Sequence, residues 1–176
     1  MAHFYRHVEQ MVQTACQYIA EGLRRGEAVV IVAPQAHWAR MVGKLATKRG
    51  IDLVDAVMNG QLRHVDAEVV LSGLLENGMP DDKRFHEHAG NLVERSLNRF
   101  GDVRIFTELA GLLWESGNRA AAVRLEELWI GLARRLRFTL LCTYRSEDGR
   151  LDGYNSALQS ICGVHSSLVA DGGPAG

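Results

Sequence analysis

The sequence predicts an α/β domain with a mostly parallel central sheet and helices on both faces. Three observations carry this. Short runs at 28–33 (AVVIVA), 103–106 (VRIF) and 138–142 (FTLLC) are apolar at nearly every position, as in strands buried on both faces of a parallel sheet. Between them, apolar residues repeat at spacings of three and four, which gives a helix one face to lay on a sheet. Strands and helices also alternate, and parallel strands need such crossovers. A length of 176 residues suits one domain with a full core. Residues 1–170 are expected to form it, and the tail at 171–176, DGGPAG, to be flexible.

The elements follow in order. Residues 3–6 predict a short first strand. An amphipathic helix follows over 8–25, with Val8, Met11, Val12, Ala15, Cys16, Ile19 and Leu23 on one side. Gly26 ends it, with Arg24 and Arg25 at the negative end of its dipole. The β-branched run 28–33 predicts a central strand, and Pro34 breaks it. A helix over 36–49 presents Trp38, Met41, Val42 and Leu45 and closes at Gly50.

Residues 61–65 predict another strand. Asp66 is placed to cap a helix whose apolar face is Ala67, Val70, Leu71 and Leu74. A turn is expected at 77–81, and Asp81 caps a helix running to about Phe100. After the strand 103–106, Gly117 and Asn118 separate two helices, with Asn118 as a cap. The strand 138–142 and a final helix over 154–169 complete the chain.

Composition excludes several function classes. Twenty basic and 21 acidic residues give a net charge of −1, with no basic excess to meet nucleic acid or an anionic membrane. No apolar run approaches the ~18–20 residues that span a bilayer. The first ten residues, MAHFYRHVEQ, lack the apolar core of a signal peptide. Three cysteines, Cys16, Cys142 and Cys162, stand in apolar contexts. They read as free thiols of a reducing cytoplasm. No CxxC or HExxH pattern organises the seven histidines, and His86 and His88 diverge by about 200° on a helix. No metal and no cofactor are expected.

The loop after 28–33 decides one activity. A phosphate loop needs glycines that let backbone N–H groups close on phosphate, and a lysine at the helix start. The chain reads PQAHWAR at 34–40, and Gly43-Lys44 falls in mid-helix. Nucleotide hydrolysis by that mechanism is not expected.

Ligands of open α/β sheets bind beyond the carboxyl ends of the strands. Thr107 and Glu108 follow one strand, and Cys142, Thr143 and Tyr144 close another. Two such ends bring a carboxylate, a thiol and a phenol towards one crevice. Glu108 is either a ligand group or base, or a helix cap favoured by the dipole. Cys142 is either a nucleophile, which needs a histidine such as His165 within reach, or a buried thiol beside a packed tyrosine. Glu126 flanks the inner face of its helix, where a basic partner is expected, and Glu127 points to solvent.

Several blocks together resemble a known family. They are Glu21-Gly22-Leu23 with Gly26-Glu27-Ala28, Asp66-Ala67 with Leu71, and Gly78-Met79-Pro80-Asp81 with Arg84-Phe85. The most distinctive spans Val103-Arg104, Phe106-Thr107-Glu108-Leu109, Leu113-Trp114, Gly117-Asn118, Leu125-Glu126, Trp129 and Phe138 to Tyr144. Ile161-Cys162 and His165 complete the set. The chain resembles the MEDS domain, the methanogen/methylotroph DcmR-type sensory domain, from about residue 3 to 169.

This resemblance implies a RecA/KaiC-like fold without the phosphate loop, and a sensory module for small, hydrocarbon-like compounds. Thr107 stands where the family carries glycine, which implies a different pocket size. Arg145 replaces the family's proline.

The expected function is a cytoplasmic sensory domain that binds a small, largely apolar organic molecule without turnover. Glu108, Thr107, Tyr144 and Cys142 are its candidate polar groups, and His37, Trp38, Phe106 and Trp114 its candidate walls. The response is expected to pass through a protein partner, a regulator or kinase, or through a homo-oligomer. Two other readings are a degenerate ATPase-like interaction subunit without ligand, and a cofactor-free hydrolase using Cys142 or Glu108.

Overall fold

The computed structural model of the chain describes residues 1–145 and 168–170. Six parallel strands form the main sheet: β1 (Ala2–Tyr5), β2 (Ala28–Ala33), β3 (Leu62–Asp66), β6 (Val103–Thr107), β7 (Thr139–Arg145) and β8 (Leu168–Ala170). Their spatial order is β3-β2-β6-β7-β1-β8. All residues of β2 and β6 are buried, as the continuous apolar runs require of central strands covered on both sides.

Alternation along the strands divides the core into two layers. Val29, Ile31, Ala33, Phe106 and Leu141 pack with Met11, Val12, Ile19, Met41 and Leu45. That layer is built by α1 (Val8–Arg24), α2 (Gln35–Leu45) and α3 (Leu53–Met58). Val30, Val32, Ile105, Cys142 and Tyr144 belong to the opposite layer, with Leu74, Phe85, Val93, Leu125 and Trp129. Its helices are α4 (Ala67–Leu74), α5 (Asp82–Phe85), α6 (Asn91–Phe100), α7 (Leu109–Glu115) and α8 (Arg119–Ala133). This is the α/β architecture the sequence predicts, and it is compatible with a RecA-like fold.

The expected caps form. Asp66 accepts from the backbone N–H of Glu68 and Val69, Asp81 from Arg84, and Asn118 from Ala121. Each satisfies N–H groups that a helix start leaves unpaired.

The Glu21-Gly22…Glu27 block serves the fold. Arg104 points from β6 into the α1 layer and is 7% exposed. Its Nε and Nη2 donate to the two carboxylate oxygens of Glu27 at 2.6 and 3.2 Å. Nη1 donates to Glu21 at 3.3 Å and to the Tyr18 carbonyl at 3.2 Å. A Cβ on Gly22 would stand 2.9 Å from the Arg104 side chain, so glycine makes room for the guanidinium stem.

Several expectations are corrected. The helix expected over 36–49 ends at Leu45. Its apolar repeat stops there, and the Thr47 hydroxyl donates back to the Lys44 carbonyl at 2.8 Å. Helix α3 was not predicted because Val54, Val57 and Met58 face solvent and only Ala56 is buried. The turn at 77–81 sits in a small hairpin, β4 (Leu75–Glu76) with β5 (Met79–Pro80).

The helix leading to Phe100 contains a π-helical turn at His86–Gly90. Such turns occur mostly singly, often at functional sites. Strand β7 runs to Arg145 rather than ending at Cys142. Leu168 and Val169, expected to be helical, belong to β8. The rest of that expected helix, together with Cys162, His165 and the tail, lies outside the described residues.

Candidate functional site

Strands β2 and β6 are neighbours whose onward connections diverge. From β2 the chain passes through α2 and α3 to β3 on one side; from β6 it passes through α7 and α8 to β7 on the other. The carboxyl ends of this pair form the topological switch point, where open α/β sheets place ligands.

Two side chains meet there. His37 lies in the first turn of α2, and Glu108 stands between β6 and α7. The His37 Nδ1 and Glu108 Oε2 are hydrogen-bonded at 2.8 Å. The Glu108 backbone N–H donates to the Val32 carbonyl at 3.0 Å, which fixes the carboxylate beside β2. Glu108 is 3% exposed, whereas His37 is 21% exposed and lies on the solvent side of the pair. The second carboxylate oxygen, Oε1, is buried and meets no donor among the described residues.

This geometry separates the two readings of Glu108. It occupies the capping position of α7, yet its side chain makes no capping bond. The Thr107 hydroxyl performs that task, accepting from the Leu109 N–H at 3.2 Å. Glu108 is thus a buried carboxylate with one oxygen committed to His37.

Burial raises the Glu108 pKa, and His37 opposes that rise. The hydrogen bond to Glu108 raises the His37 pKa against partial desolvation. Such a pair can hold or exchange a proton, and the second oxygen can take a ligand donor. Cys142 is buried, and desolvation, reinforced by Glu126, pushes its thiol well above the usual range.

The eight residues singled out from the sequence do not form one wall. Trp38 stacks on His64 with ring centroids 5.0 Å apart, and His64 Nε2 is hydrogen-bonded to the Ala33 carbonyl at 2.9 Å. Both belong to the surroundings of the crevice. Phe106 is fully buried in the α1 layer. Trp114 is half-buried, with the Arg119 guanidinium 5.1 Å from its ring centroid.

Cys142 is level with Thr107 in the sheet register. Both Cys142 and Tyr144 lie within β7 and face the α8 layer, on the same side as alternation predicts. The expectation that the strand closes at Cys142 is therefore corrected, since it runs on through Tyr144 to Arg145. Helix α7 lies directly on this part of β7: a Cβ on Gly111 would stand 2.3 Å from the Thr143 carbonyl oxygen. The Tyr144 hydroxyl donates to Glu126, which is fully buried within the inner face of α8 rather than flanking it. Glu127 is exposed and pairs with Arg124 at 3.2 Å.

Sequence reasoning missed an apolar cavity of about 120 Å³ in the α4–α8 layer. Val32, Val70, Leu74, Phe85, Leu109 and Trp129 line it, and the exposed His88 of the π-helical turn is the one titratable residue among the described residues that line it. None of the eight candidates lines it. Its nearest link to the crevice is covalent, since Leu109 follows Glu108 in the chain, and Val32 holds the Glu108 backbone. Its apolar residues carry the ordinary core pattern, so no sequence signal distinguishes a lining position from a packed one.

No curated protein matches the chain significantly. A family model described as "MEDS: MEthanogen/methylotroph, DcmR Sensory domain" matches residues 1–165. It covers the switch-point crevice, the apolar cavity and both helical layers, and the chain belongs to the MEDS family of sensory domains.

Proposed function

We propose that this sensory domain binds a small, largely apolar organic molecule in the α4–α8 cavity and does not turn it over. The apolar cavity carries the reading. It has the apolar lining that ligand pockets commonly have, and its volume of about 120 Å³ lies below the ~300–1,000 Å³ of drug-sized sites, which restricts it to a very small molecule. Its walls include Val32 and Leu109, the residues that hold and follow the Glu108 backbone. The His37–Glu108 pair lies outside the cavity and is joined to it through Val32 and Leu109. The raised thiol pKa and full burial of Cys142 argue against nucleophilic turnover.

The His37–Glu108 bond joins α2 on one face of the sheet to the start of α7 on the other. A ligand that moves Leu109 changes the register of that bond, and so couples occupancy to both helical layers. The reading includes a cytoplasmic setting and a response passed to a protein partner or a second copy of the chain.

The test is methyl NMR with cyclohexane as probe. Saturable shifts of the Val32, Val70, Val93 and Leu109 methyls are expected, and Ala89→Leu, which fills the cavity from its lining, should abolish them while the fold is retained. Shifts that do not saturate, or that survive in the filled variant, would place the ligand elsewhere.

A further inference from the structure

A second cavity, of about 200 Å³, opens at the amino-terminal edge of the sheet, the opposite end from the His37–Glu108 crevice. Arg63 of β3 and Arg95 and Arg99 of α6 line it, together with Gln61 and Ser96. Its remaining walls are apolar, with Ala28, Val30, Leu92 and Phe100 among them. No carboxylate among the described residues lines the cavity. Among the described residues, none of the three arginines forms an ion pair.

This convergence is not a property of the whole surface. The chain carries a net charge of −1, and Arg25, Arg84, Arg104, Arg124 and Arg137 all meet carboxylates. Arg95 and Arg99 are four residues apart on one helix, a spacing at which like charges repel. The dipole of α6 favours Arg99 in its last turn. It does not account for Arg95 in mid-helix, nor for Arg63 from a different element. Gly60 adopts φ 76°, and a Cβ there would come within 3.3 Å of the Arg99 guanidinium, so the turn leaves that group its place. The guanidinium carbon of Arg99 lies 5.2 Å from the Phe100 ring centroid.

Guanidinium forks recognise planar or tetrahedral oxyanions by paired hydrogen bonds. We propose that this cavity is a binding site for a small organic oxyanion, a carboxylate or phosphate ester, whose apolar body rests on Phe100, Leu92 and Ala28. Its anionic end is held by Arg63, Arg95 and Arg99. The site adjoins the apolar cavity, sharing Val30 and Leu92 with it, but takes a ligand of opposite character.

The experiment is calorimetric titration of the full chain at low salt with phenyl phosphate, benzoate and inorganic phosphate. One-site binding of phenyl phosphate or benzoate is expected, and the two arms show whether phosphate or carboxylate is preferred. Affinity should fall as salt rises. It should drop about tenfold or more in each of Arg63→Ser, Arg95→Ser and Arg99→Ser, since each removes charge-assisted hydrogen bonds. Inorganic phosphate should bind more weakly than phenyl phosphate, because it leaves the apolar wall uncovered.

The proposal is overturned if neither organic anion saturates, or if the arginine variants bind as well as the parent with their circular dichroism unchanged. It is also overturned if inorganic phosphate matches phenyl phosphate. Binding of polyglutamate alone would assign the arginines to an acidic protein segment and overturn the small-anion site as well.

Discussion

Replacing Glu27 by glutamine tests whether Arg104 organises the amino-terminal half of the fold. Arg104 is 7% exposed and Glu27 13% exposed, and two hydrogen bonds join them in a fork. Removing one partner of a buried pair typically costs about 3–5 kcal/mol, because the other charge stays buried without its counter-ion. Glu21 and the Tyr18 carbonyl still contact Arg104 in the variant, which places the loss near the lower bound, about 3 kcal/mol.

For a domain of this length, 1 kcal/mol shifts the melting temperature by roughly 2–4 °C. Glu27→Gln is therefore expected to melt about 6–12 °C lower by calorimetry or circular dichroism. Glu21→Gln is the internal control. Its carboxylate is 50% exposed, so its loss should cost under about 1 kcal/mol. The double variant Glu27→Met, Arg104→Met removes both charges and should recover most of the stability. Equal losses for Glu21→Gln and Glu27→Gln, or a double variant as unstable as Glu27→Gln, would refute the reasoning.

Two further predictions concern packing and protonation. Gly111→Ala should destabilise by about 2 kcal/mol or more, because its Cβ meets a backbone oxygen that cannot swing aside; Gly43→Ala, with no atom within 4 Å, should gain up to about 1 kcal/mol, and urea midpoints for the two should move in opposite directions. For the dyad, His37 has a raised folded-state pKa, so its stabilisation is fully present below the ordinary value of 6.5 and is lost as pH rises through the folded value. Glu108 is also raised, so its contribution is present below 4.5 and is lost over the interval above it. Both slopes have the same sign: the stability difference between the parent and a His37→Ala, Glu108→Gln variant should shrink as pH rises, and a pH-independent difference would contradict the assignment.

What the sequence made legible follows from how each feature is encoded. The central strands, the two layers and the caps Asp66, Asp81 and Asn118 are local, since each depends on periodicity or on one side chain facing its own backbone. Helix α3 escaped because it turns Val54, Val57 and Met58 outward, so its pattern carries no inward stripe. The π-helical turn escaped because one extra residue in a helix leaves no compositional mark.

The candidate site was half legible. Position at a strand end singled out Glu108, and His37 was read as a candidate wall, but their hydrogen bond joins residues 71 apart in the chain. Tyr144 and Cys142 were assigned to the same face correctly. Their burial against Glu126 depends on how α8 rotates over the sheet, a tertiary choice that spacing alone left at the edge of its inner face.

Strand β6 shows why the parts of this domain sit where they do. Its five residues alternate between layers, so neighbouring positions perform unrelated work. Arg104 enters the α1 layer and meets Glu27 near the amino-terminal edge. Ile105 turns the other way and forms part of the apolar cavity. Phe106 returns to the first layer as packing, and Thr107 faces the second, where its hydroxyl starts α7. Only then does the chain reach Glu108, whose N–H closes the ladder on the Val32 carbonyl and whose side chain is committed to His37. The cap matters for the site, because Thr107 satisfies the helix start and leaves the Glu108 carboxylate for other chemistry. A glycine at 107 would have no hydroxyl, and the α7 N–H would turn to water or to Glu108 itself. The β-branched hydroxyl at this position thus keeps the helix start and the buried carboxylate as separate functions.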